Sequence, residues 1–381
     1  MKFETRAIHV GQKPDPLTGA VTTPIYQTST FEQEGIGRPR GHAYSRVSNP
    51  TREALETVLA SLEGGSYGLA FASGVAATTA VFHGLLKKDD HVVVGDNIYG
   101  GTYRLLERIF KPWGLEITYV RADDVAAYEA AINVRTRLFW VETPTNPLLK
   151  IVDLAGLAEV ARRNHCLLAV DNTFATPYFQ RPLAQGAQVV VHSTTKYIAG
   201  HSDIIGGAAV TSEEEIYQKL KSYQYNAGAV PAPWDCWLTL RGLKTLGIRM
   251  REHAANASYL AHFLENHPQV ERVYYPGLAG HEHHAIARKQ MEGFGGMVSI
   301  ELAGGFAAVE RFIGNLKLFT LAESLGGVES LVSCPAKMTH SVFTAEQREK
   351  MGIKDNLVRL SVGIEHREDL KEDLEQALQG G

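Results

Sequence analysis

The feature that most restricts how this chain can fold is a series of short apolar segments between stretches of helical periodicity. HVVVG, EITYV, LFWVE, CLLAV and QVVVH are each of strand length. Apolar residues recur at intervals of three and four in the stretches around them, which predicts helices over 51–62, 74–85, 102–110, 125–132 and 154–163. Apolar strands that alternate with helices favour a mostly parallel sheet covered on both faces. The sequence therefore predicts an α/β fold.

The regularity of this alternation divides the chain into three predicted parts. Residues 1–45 are rich in Gly and Pro and hold no long periodic element, which predicts an arm that packs on another surface, such as a neighbouring subunit. Residues 46–240 carry the alternating strands and helices of the main domain. Residues 241–381 combine two predicted helices with the strands GGMVSIEL and LVRLSVGIE, which predicts a smaller C-terminal α/β domain.

Charge and cysteine content favour a soluble, reduced protein of the cytoplasm. The net charge of −4 comes without a basic run, so nothing favours binding to nucleic acid or to a membrane surface. No window approaches the roughly 18 apolar residues of a membrane helix, and the first residues lack the apolar stretch of a signal peptide. Cys166, Cys236 and Cys334 are far apart, without metal or redox spacing, which predicts reduced thiols and a cytoplasmic location.

Polar residues follow several of the predicted strands at the points where they end. Asp171 follows CLLAV, and Lys196 follows QVVVH after three hydroxyl residues. Tyr99 comes shortly after HVVVG, and Ser73-Gly74 precedes a predicted helix. Each residue alone has an ordinary explanation as a cap, a turn or a solvated side chain. Together they supply what pyridoxal phosphate requires, namely a lysine, a carboxylate, a flat ring and phosphate donors, at the sheet edge where ligands bind.

Nine ordered segments resemble those of the Cys/Met-metabolism family of pyridoxal-phosphate enzymes, the cystathionine synthases and lyases. They are YSRVSNPTR (44–52), FASGVAA (71–77), DNIYGGTYR (96–104), VETPTNPLLK (141–150), VDNTFATP (170–177), HSTTKYIAGHSD (192–203), AESLGGVESL (322–331), PAKMTH (335–340) and VRLSVGIE (358–365). The resemblance covers nearly the whole chain. It implies the pyridoxal-phosphate-dependent transferase fold, fold type I, which is also that of aspartate aminotransferase.

The resemblance also implies a role for each matching residue. Lys196 is similar to the Schiff-base lysine that moves protons on the substrate, and Asp171 to the partner of the pyridine nitrogen. Tyr99 is similar to the ring that stacks on the cofactor and acts in catalysis. The implied phosphate ligands are Gly74, Val75, Ser193 and Thr195, with Tyr44 and Arg46 reaching the site of the neighbouring subunit. The implied pocket for the substrate α-carboxylate consists of Asn146, Ser324 and Arg359. A shared site of this kind implies an obligate dimer, two of which form a homotetramer.

Three positions bear on which reaction the chain catalyses. Family members that cleave methionine resemble one another in the pattern Tyr-Gly-Cys at the ring-stacking loop. Here Gly101 takes the place of the cysteine, which argues against that activity. Glu323 resembles the acid of members that act at the γ-carbon of cystathionine, where it holds the distal ammonium group. Ala43 replaces an acid that many γ-lyases carry before the YSR motif, so homocysteine or cysteine would compete as substrates and release hydrogen sulfide. The expected reaction is cleavage of L-cystathionine to cysteine, 2-oxobutanoate and ammonia, with β-lyase or γ-synthase activity as the alternative.

Rival interpretations have less support. The Ser193 to Lys196 spacing matches the SxxK pattern of acyl-serine hydrolases, but the accompanying SDN and KTG elements are missing. A non-catalytic protein on the same scaffold would be expected to have lost Lys196, Asp171 or Arg359. His281, His283 and His284 suggest a metal site only superficially, and a solvated loop without metal is the prediction.

Overall fold

The computed structural model of the protein describes residues 1–379. Its strands are β1 (Gln33–Gly35), β2 (Arg38–Pro39), β3 (Tyr67–Phe71), β4 (His91–Gly95), β5 (Glu116–Val120), β6 (Thr136–Glu142), β7 (Leu167–Asp171), β8 (Val189–Ser193), β9 (Gly207–Thr211), β10 (Val270–Tyr274), β11 (Met297–Leu302), β12 (Thr320–Leu321), β13 (Leu331–Ser333) and β14 (Leu357–Ser361).

The α-helices are α1 (Phe3–His9), α2 (Pro50–Glu63), α3 (Gly74–Leu85), α4 (Gly100–Leu105), α5 (Lys111–Trp113), α6 (Val125–Ala130), α7 (Leu154–Arg163), α8 (Thr176–Phe179), α9 (Glu214–Ala227), α10 (Pro233–Leu243), α11 (Leu246–Glu265), α12 (His284–Gln290), α13 (Gly305–Asn315), α14 (Ala345–Met351) and α15 (Arg367–Gln379). A π-helical turn (Leu106–Phe110) continues α4, and a 3-10 turn (Pro182–Gln185) precedes β8. Within the described residues, no helix is both long and apolar enough to cross a membrane.

The large sheet has seven strands in the order β3-β9-β8-β7-β6-β4-β5. All neighbouring pairs from β8 to β5 are parallel, whereas β9 runs antiparallel to both β8 and β3. This confirms the predicted mostly parallel sheet. The carboxyl ends of β3, β4, β6, β7 and β8 consequently meet at one edge, which is where such folds bind ligands.

Buried side chains cover both faces of this sheet. Val94 and Trp140 pack on the face that carries α3, whereas their chain neighbours Val93 and Val141 pack on the face that carries α7. Alternate residues of a strand point to opposite faces, so a continuous apolar run is what a strand between two helical layers requires. Each such fully buried valine stabilises the fold by roughly 1.5–3 kcal/mol.

Strands β3 and β9 and helices α9 and α10 were not among the predicted elements. The sequence of β9, GAAVT, has low strand propensity because glycine and alanine offer little side chain to pack. The packing explains these residues, since a Cβ on Gly207 would lie 2.1 Å from the carbonyl oxygen of Ser73. Small residues in β9 therefore allow the start of α3 to approach the sheet closely.

The smaller sheet has the order β10-β11-β14-β13-β12 and shares a core with α11, α13 and α15. The start of α11 also belongs to the core of the larger part, since Leu246 and Met250 pack with Tyr197 and Ile198. The predicted helices over 249–264 and 369–378 correspond to α11 and α15. The boundaries of the three predicted domains stay predictions.

Candidate active site

A cavity of about 570 Å³ lies at the carboxyl edge of the large sheet, where the segment 322–325 and strand β14 of the smaller sheet close over it. The residues that line it are Ser73, Gly74, Val75, Thr78, Tyr99, Thr102, Glu142, Asn146, Asp171, Thr173, Phe174, Ser193, Thr195, Lys196, Ser202, Ile204, Ile205, Ala322, Glu323, Ser324, Leu325, Glu329, Leu331, Thr339 and Arg359. Every predicted site residue except Tyr44 and Arg46 is among them. We call the more buried lining residues Asp171, Lys196 and Arg359 the floor of the cavity, and the exposed Tyr99 and Glu323 its mouth.

Lys196 lies just after β8 with its amine inside the cavity. Its Nζ donates a hydrogen bond of 2.6 Å to Ser324 Oγ. Burial, together with the positive charge of Arg359, lowers the pKa of Lys196 to about 8, and the charge of Glu323 opposes both. An amine with this pKa is partly neutral near pH 7, and a neutral amine is the form that acts as a nucleophile or base.

Asp171 ends the neighbouring strand β7 and also faces the cavity. Its Oδ1 accepts a hydrogen bond of 3.0 Å from the backbone N–H of Thr173. Burial raises the pKa of Asp171, while the hydrogen bonds from Thr173 and the nearby His192 act in the opposite direction. A buried carboxylate beside a cavity favours a ligand group with a positive charge, which would compensate the negative charge of the carboxylate.

The start of α3 provides backbone donors at the same edge. Ser73 is the N-cap, and its Oγ accepts a hydrogen bond of 3.0 Å from the N–H of Ala76. A Cβ on Gly74 would lie 2.8 Å from Cβ of Ser193, so glycine is needed for α3 to begin so close to the end of β8. The free N–H groups of this first turn and the hydroxyl of Ser193 suit a phosphate group.

Arg359 is almost fully buried on β14, with 2% of its surface exposed. Its Nη1 donates to Asn146 Oδ1 at 2.9 Å, and its Nη2 donates to the carbonyl of Ser324 at 3.1 Å. The Nε has no hydrogen-bond partner in the described part of the chain. An unpaired donor on a buried guanidinium is unfavourable, and a carboxylate is the ligand group best suited to accept from it.

The mouth of the cavity is more exposed than its floor. Tyr99 precedes α4 with 40% of its surface exposed, and Glu323 is exposed as well. The predictions missed Glu142, a buried carboxyl at the end of β6 that accepts a hydrogen bond of 2.7 Å from the N–H of Tyr99. Burial and the charge of Asp171 raise the pKa of Glu142. The rule that singled out Asp171 applies equally to Glu142, since both are the last residues of neighbouring strands.

Tyr44 and Arg46 lie outside this cavity. Both are exposed, and the Arg46 guanidinium stands 5.5 Å from the ring of Tyr44 and 4.9 Å from that of Tyr225. Their location does not connect them to the Lys196 of their own chain. Their assignment to the site of a neighbouring subunit stays a prediction.

The histidine loop is not the solvated segment that the sequence predicted. His283 is buried, and its Nε2 lies 3.1 Å from Oδ2 of Asp123. Burial lowers the pKa of His281 to about 4. Arg121 donates to both oxygens of Asp123, at 2.7 and 2.9 Å, so the carboxylate is already compensated by a cation. His283 thus makes a buried polar contact between the loop and Asp123, while His284 Nδ1 lies 2.8 Å from the carbonyl oxygen of Pro276.

These groups fit a ligand that carries a phosphate at one end and a protonated ring nitrogen at another, with a lysine between them. The helix start suits the anion, Asp171 suits the cationic ring, and Lys196 lines the same cavity as both. Together with the doubly covered sheet, this places the protein in the class of pyridoxal-phosphate enzymes of fold type I.

Comparison with known proteins defines the family within this class. A model of the Cys/Met metabolism PLP-dependent enzyme family matches residues 4–379, so the chain belongs to that family and uses pyridoxal 5'-phosphate. It is 53% identical over 375 residues to a cystathionine gamma-synthase of Mycobacterium tuberculosis, covering 98% of this chain and 96% of the relative. It is 53% identical over 378 residues to a cystathionine beta-lyase of Coxiella burnetii (99% and 97% covered) and 51% identical over 379 residues to a cystathionine gamma-lyase of Bacillus subtilis (100% of both).

Solved structures agree with this assignment. The crystal structure of metB from Corynebacterium glutamicum matches with a TM-score of 0.97 at 49% identity and covers 100% of this chain and 98% of the other. A cystathionine gamma-lyase from Lactobacillus plantarum complexed with L-serine matches with a TM-score of 0.96 at 46% identity, covering 100% and 99%. The relatives thus bear three activity names at similar identity, and the family alone does not select among them.

Proposed function

We propose that the protein cleaves L-cystathionine at its γ-carbon to give cysteine, 2-oxobutanoate and ammonia. The observation that carries this proposal is Glu323, a carboxylate at the mouth of the cavity whose charge acts on both Lys196 and Arg359. A substrate held at the floor by its α-amino acid end would extend toward the mouth. A carboxylate at that place pairs with a distal ammonium group, which cystathionine has and cysteine lacks.

The proposed roles at the floor concern binding and proton movement. Arg359, oriented by Asn146, binds the substrate α-carboxylate through its guanidinium fork. Lys196 removes the proton from the substrate Cα, with Ser324 Oγ orienting its amine. When bound, the cofactor stabilises the negative charge that this deprotonation leaves on Cα. Asp171 holds the protonated ring nitrogen, and Gly74, Val75, Ser193 and Thr195 hold the phosphate.

The later steps use the mouth of the cavity. Lys196, once its amine is neutral again, takes a proton from the substrate β-carbon, and the bond between the γ-carbon and sulfur then breaks. Tyr99 or Lys196 donates the proton that converts the departing sulfur to the thiol of cysteine. The remaining unsaturated amino acid takes up water and gives 2-oxobutanoate and ammonia, which balances the reaction.

The assembly we propose is a homotetramer of two dimers, in which Tyr44 and Arg46 complete the site of the neighbouring subunit. The exposed apolar side chains of the arm support this, since Leu17, Val21 and Ile36 are 92%, 79% and 106% exposed in one chain. Sedimentation of the purified protein tests the assembly, because a monomer would contradict it. The cytoplasmic location stays a prediction from the three free, buried cysteines.

Product analysis with L-cystathionine tests the reaction. Cysteine with 2-oxobutanoate supports the γ-lyase proposal, whereas homocysteine with pyruvate would identify a β-lyase. The similarity to a cystathionine gamma-synthase motivates a parallel assay with an O-acylhomoserine and cysteine. Net synthesis of cystathionine at a rate above its cleavage would replace the γ-lyase proposal by the synthase.

A further inference from the structure

In the part of the chain that the structure describes, Arg249 of α11 is a buried cation without an anionic partner. Only 4% of its surface is exposed, and no carboxylate acts on its charge among residues 1–379. Burial lowers the pKa of its guanidinium to about 10, which leaves it protonated at neutral pH. A charge buried in this way is costly unless its donors meet strong acceptors, so the contacts of Arg249 show what it stabilises.

All three nitrogens of this guanidinium donate hydrogen bonds. Nη1 donates to the carbonyl of Tyr197 at 2.7 Å, and Nη2 donates to those of Ile198 at 3.3 Å and Gly242 at 2.8 Å. Nε donates to Thr245 Oγ1 at 3.1 Å. Arg249 therefore connects the two residues that follow Lys196 in the chain to the end of α10 and the start of α11.

The turn that carries Lys196 needs these donors. Within the turn, the N–H of Ala199 bonds to Thr194 and that of Gly200 bonds to Lys196. The carbonyls of Tyr197 and Ile198 accept no backbone N–H within the described segment, and both residues are buried. Buried carbonyls without donors are unfavourable, so a guanidinium that reaches both of them fixes the conformation of the turn.

Two glycines provide the space for this arrangement. Gly200 has a φ of +73°, and a Cβ there would lie 2.0 Å from Nη1 of Arg249. A Cβ on Gly242 would lie 2.2 Å from the carbonyl oxygen of Ala199. Both positions thus exclude a side chain, and the contact between the turn, α10 and Arg249 requires both glycines.

We propose that Arg249 is a positioning residue for Lys196, acting through the carbonyls of Tyr197 and Ile198 to hold the lysine turn against α10 and α11. The proposal rests on the function proposed above in one respect, namely that Lys196 is the cofactor-binding lysine. Because the guanidinium contacts the backbone of the turn and does not line the cavity, its removal should affect how Lys196 is placed more than how the substrate binds.

The variants Arg249→Lys and Arg249→Met distinguish the role of the branched guanidinium donors from the role of the positive charge. Lysine keeps the charge but is a single point donor that cannot bridge three carbonyls, and methionine removes both. In the holoenzyme we expect both variants to lose kcat by about tenfold to a hundredfold, since a displacement near 1 Å at a catalytic group has effects of that order. KM should change by less than about twofold. Arg251→Lys, on the exposed side of the same helix, is the matched control and should behave as wild type.

Amide hydrogen exchange of the holoenzymes gives a readout that is independent of activity. In the Arg249 variants we expect exchange over 194–200 to accelerate by about tenfold or more, while exchange over β7 stays as in wild type. Unchanged exchange over 194–200 would overturn the proposal, and so would an equal acceleration over β7, because the residue would then stabilise the fold only generally.

Wild-type exchange tests the same contact if the variants fail to fold. The proposal requires that 194–200 and 249–256 open together, with protection that agrees within about tenfold. Protection over 194–200 that is more than about tenfold lower than protection over 249–256 would overturn the proposal. A reducible cofactor linkage that persists in Lys196→Ala would instead refute the role of Lys196 and leave the exchange result standing, so the two failures are distinguishable.

Discussion

The floor and the mouth of the cavity are built in different ways. At the floor, Arg359 is 2% exposed, and both it and Lys196 are held by hydrogen bonds to groups of fixed position. At the mouth, Tyr99 and Glu323 are exposed, and Tyr99 is 40% accessible. Buried, well-bonded groups suit chemistry that every substrate undergoes, whereas exposed groups suit contact with the part of the substrate that varies. Relatives with three activity names at about 50% identity are consistent with a common floor.

Among the residues of the floor and the mouth, we expect the largest loss of activity from substitution of Lys196. Lys196→Ala should abolish the visible absorbance of the lysine-bound cofactor and lower turnover of every substrate by on the order of 10³-fold. Lys219→Ala removes an exposed lysine of α9 that pairs with Glu215 and serves as the control. A borohydride-reducible linkage at another lysine in Lys196→Ala would show that the floor has been assigned to the wrong residue.

Arg359→Lys should have the next largest effect. Lysine keeps the positive charge but loses the fork that contacts Asn146 and the proposed carboxylate, so kcat/KM should fall by about 100-fold, or close to 3 kcal/mol. Because every substrate has an α-carboxylate, we expect equal losses for cystathionine and cysteine in steady-state kinetics. A loss for cystathionine alone would move Arg359 from the common floor to the group of residues that select the substrate.

The pKa of Lys196 predicts a dependence on pH. Its amine, with a pKa lowered to about 8, must lose a proton before it can react with the cofactor, so capture of pyridoxal phosphate by the cofactor-free protein should accelerate as pH rises. Below pH 8 the neutral fraction grows about tenfold per pH unit, and the rate should level off above that value. Stopped-flow absorbance measures this rate. A plateau reached only near pH 10 would contradict a desolvated amine.

The sequence predicts the floor better than the contacts that support it. Asp171 and Lys196 are identifiable because each follows an apolar run, and the carboxyl ends of parallel strands meet at one edge. Arg249 gives no such signal, since its partners Tyr197 and Ile198 are about 50 residues away and meet it only after α11 packs on the turn. Contacts of this kind depend on tertiary structure, which local periodicity does not encode.

The same limit applies to the fold. Runs such as VVV at 92–94 and 189–191 predict strands because a buried parallel sheet requires them on both faces. Strand β9 does not follow this pattern, because the close approach of Ser73 requires small residues such as glycine and alanine there. Its antiparallel pairing with β8 likewise depends on the intervening segment 194–206, which returns the chain in the opposite direction, and no pattern within 207–211 indicates this.

The smallest expected effect is at the mouth, and it is also the most informative about specificity. Glu323→Ala should lower kcat/KM for cystathionine by about fivefold, because a pair between exposed charges contributes no more than about 1 kcal/mol. Cysteine has no distal ammonium, so its turnover should change by less than about twofold.

Glu323→Gln keeps the size of the side chain and removes only its charge, so it should match Glu323→Ala if the interaction is electrostatic. The loss for cystathionine should also shrink as salt rises, since exposed pairs are screened. Equal losses for cystathionine and cysteine would mean that Glu323 acts through the charge it exerts on Lys196, which would make it part of the common floor chemistry. The exposed mouth would then have no demonstrated role in selecting the substrate, and the γ-lyase proposal would lose its main support.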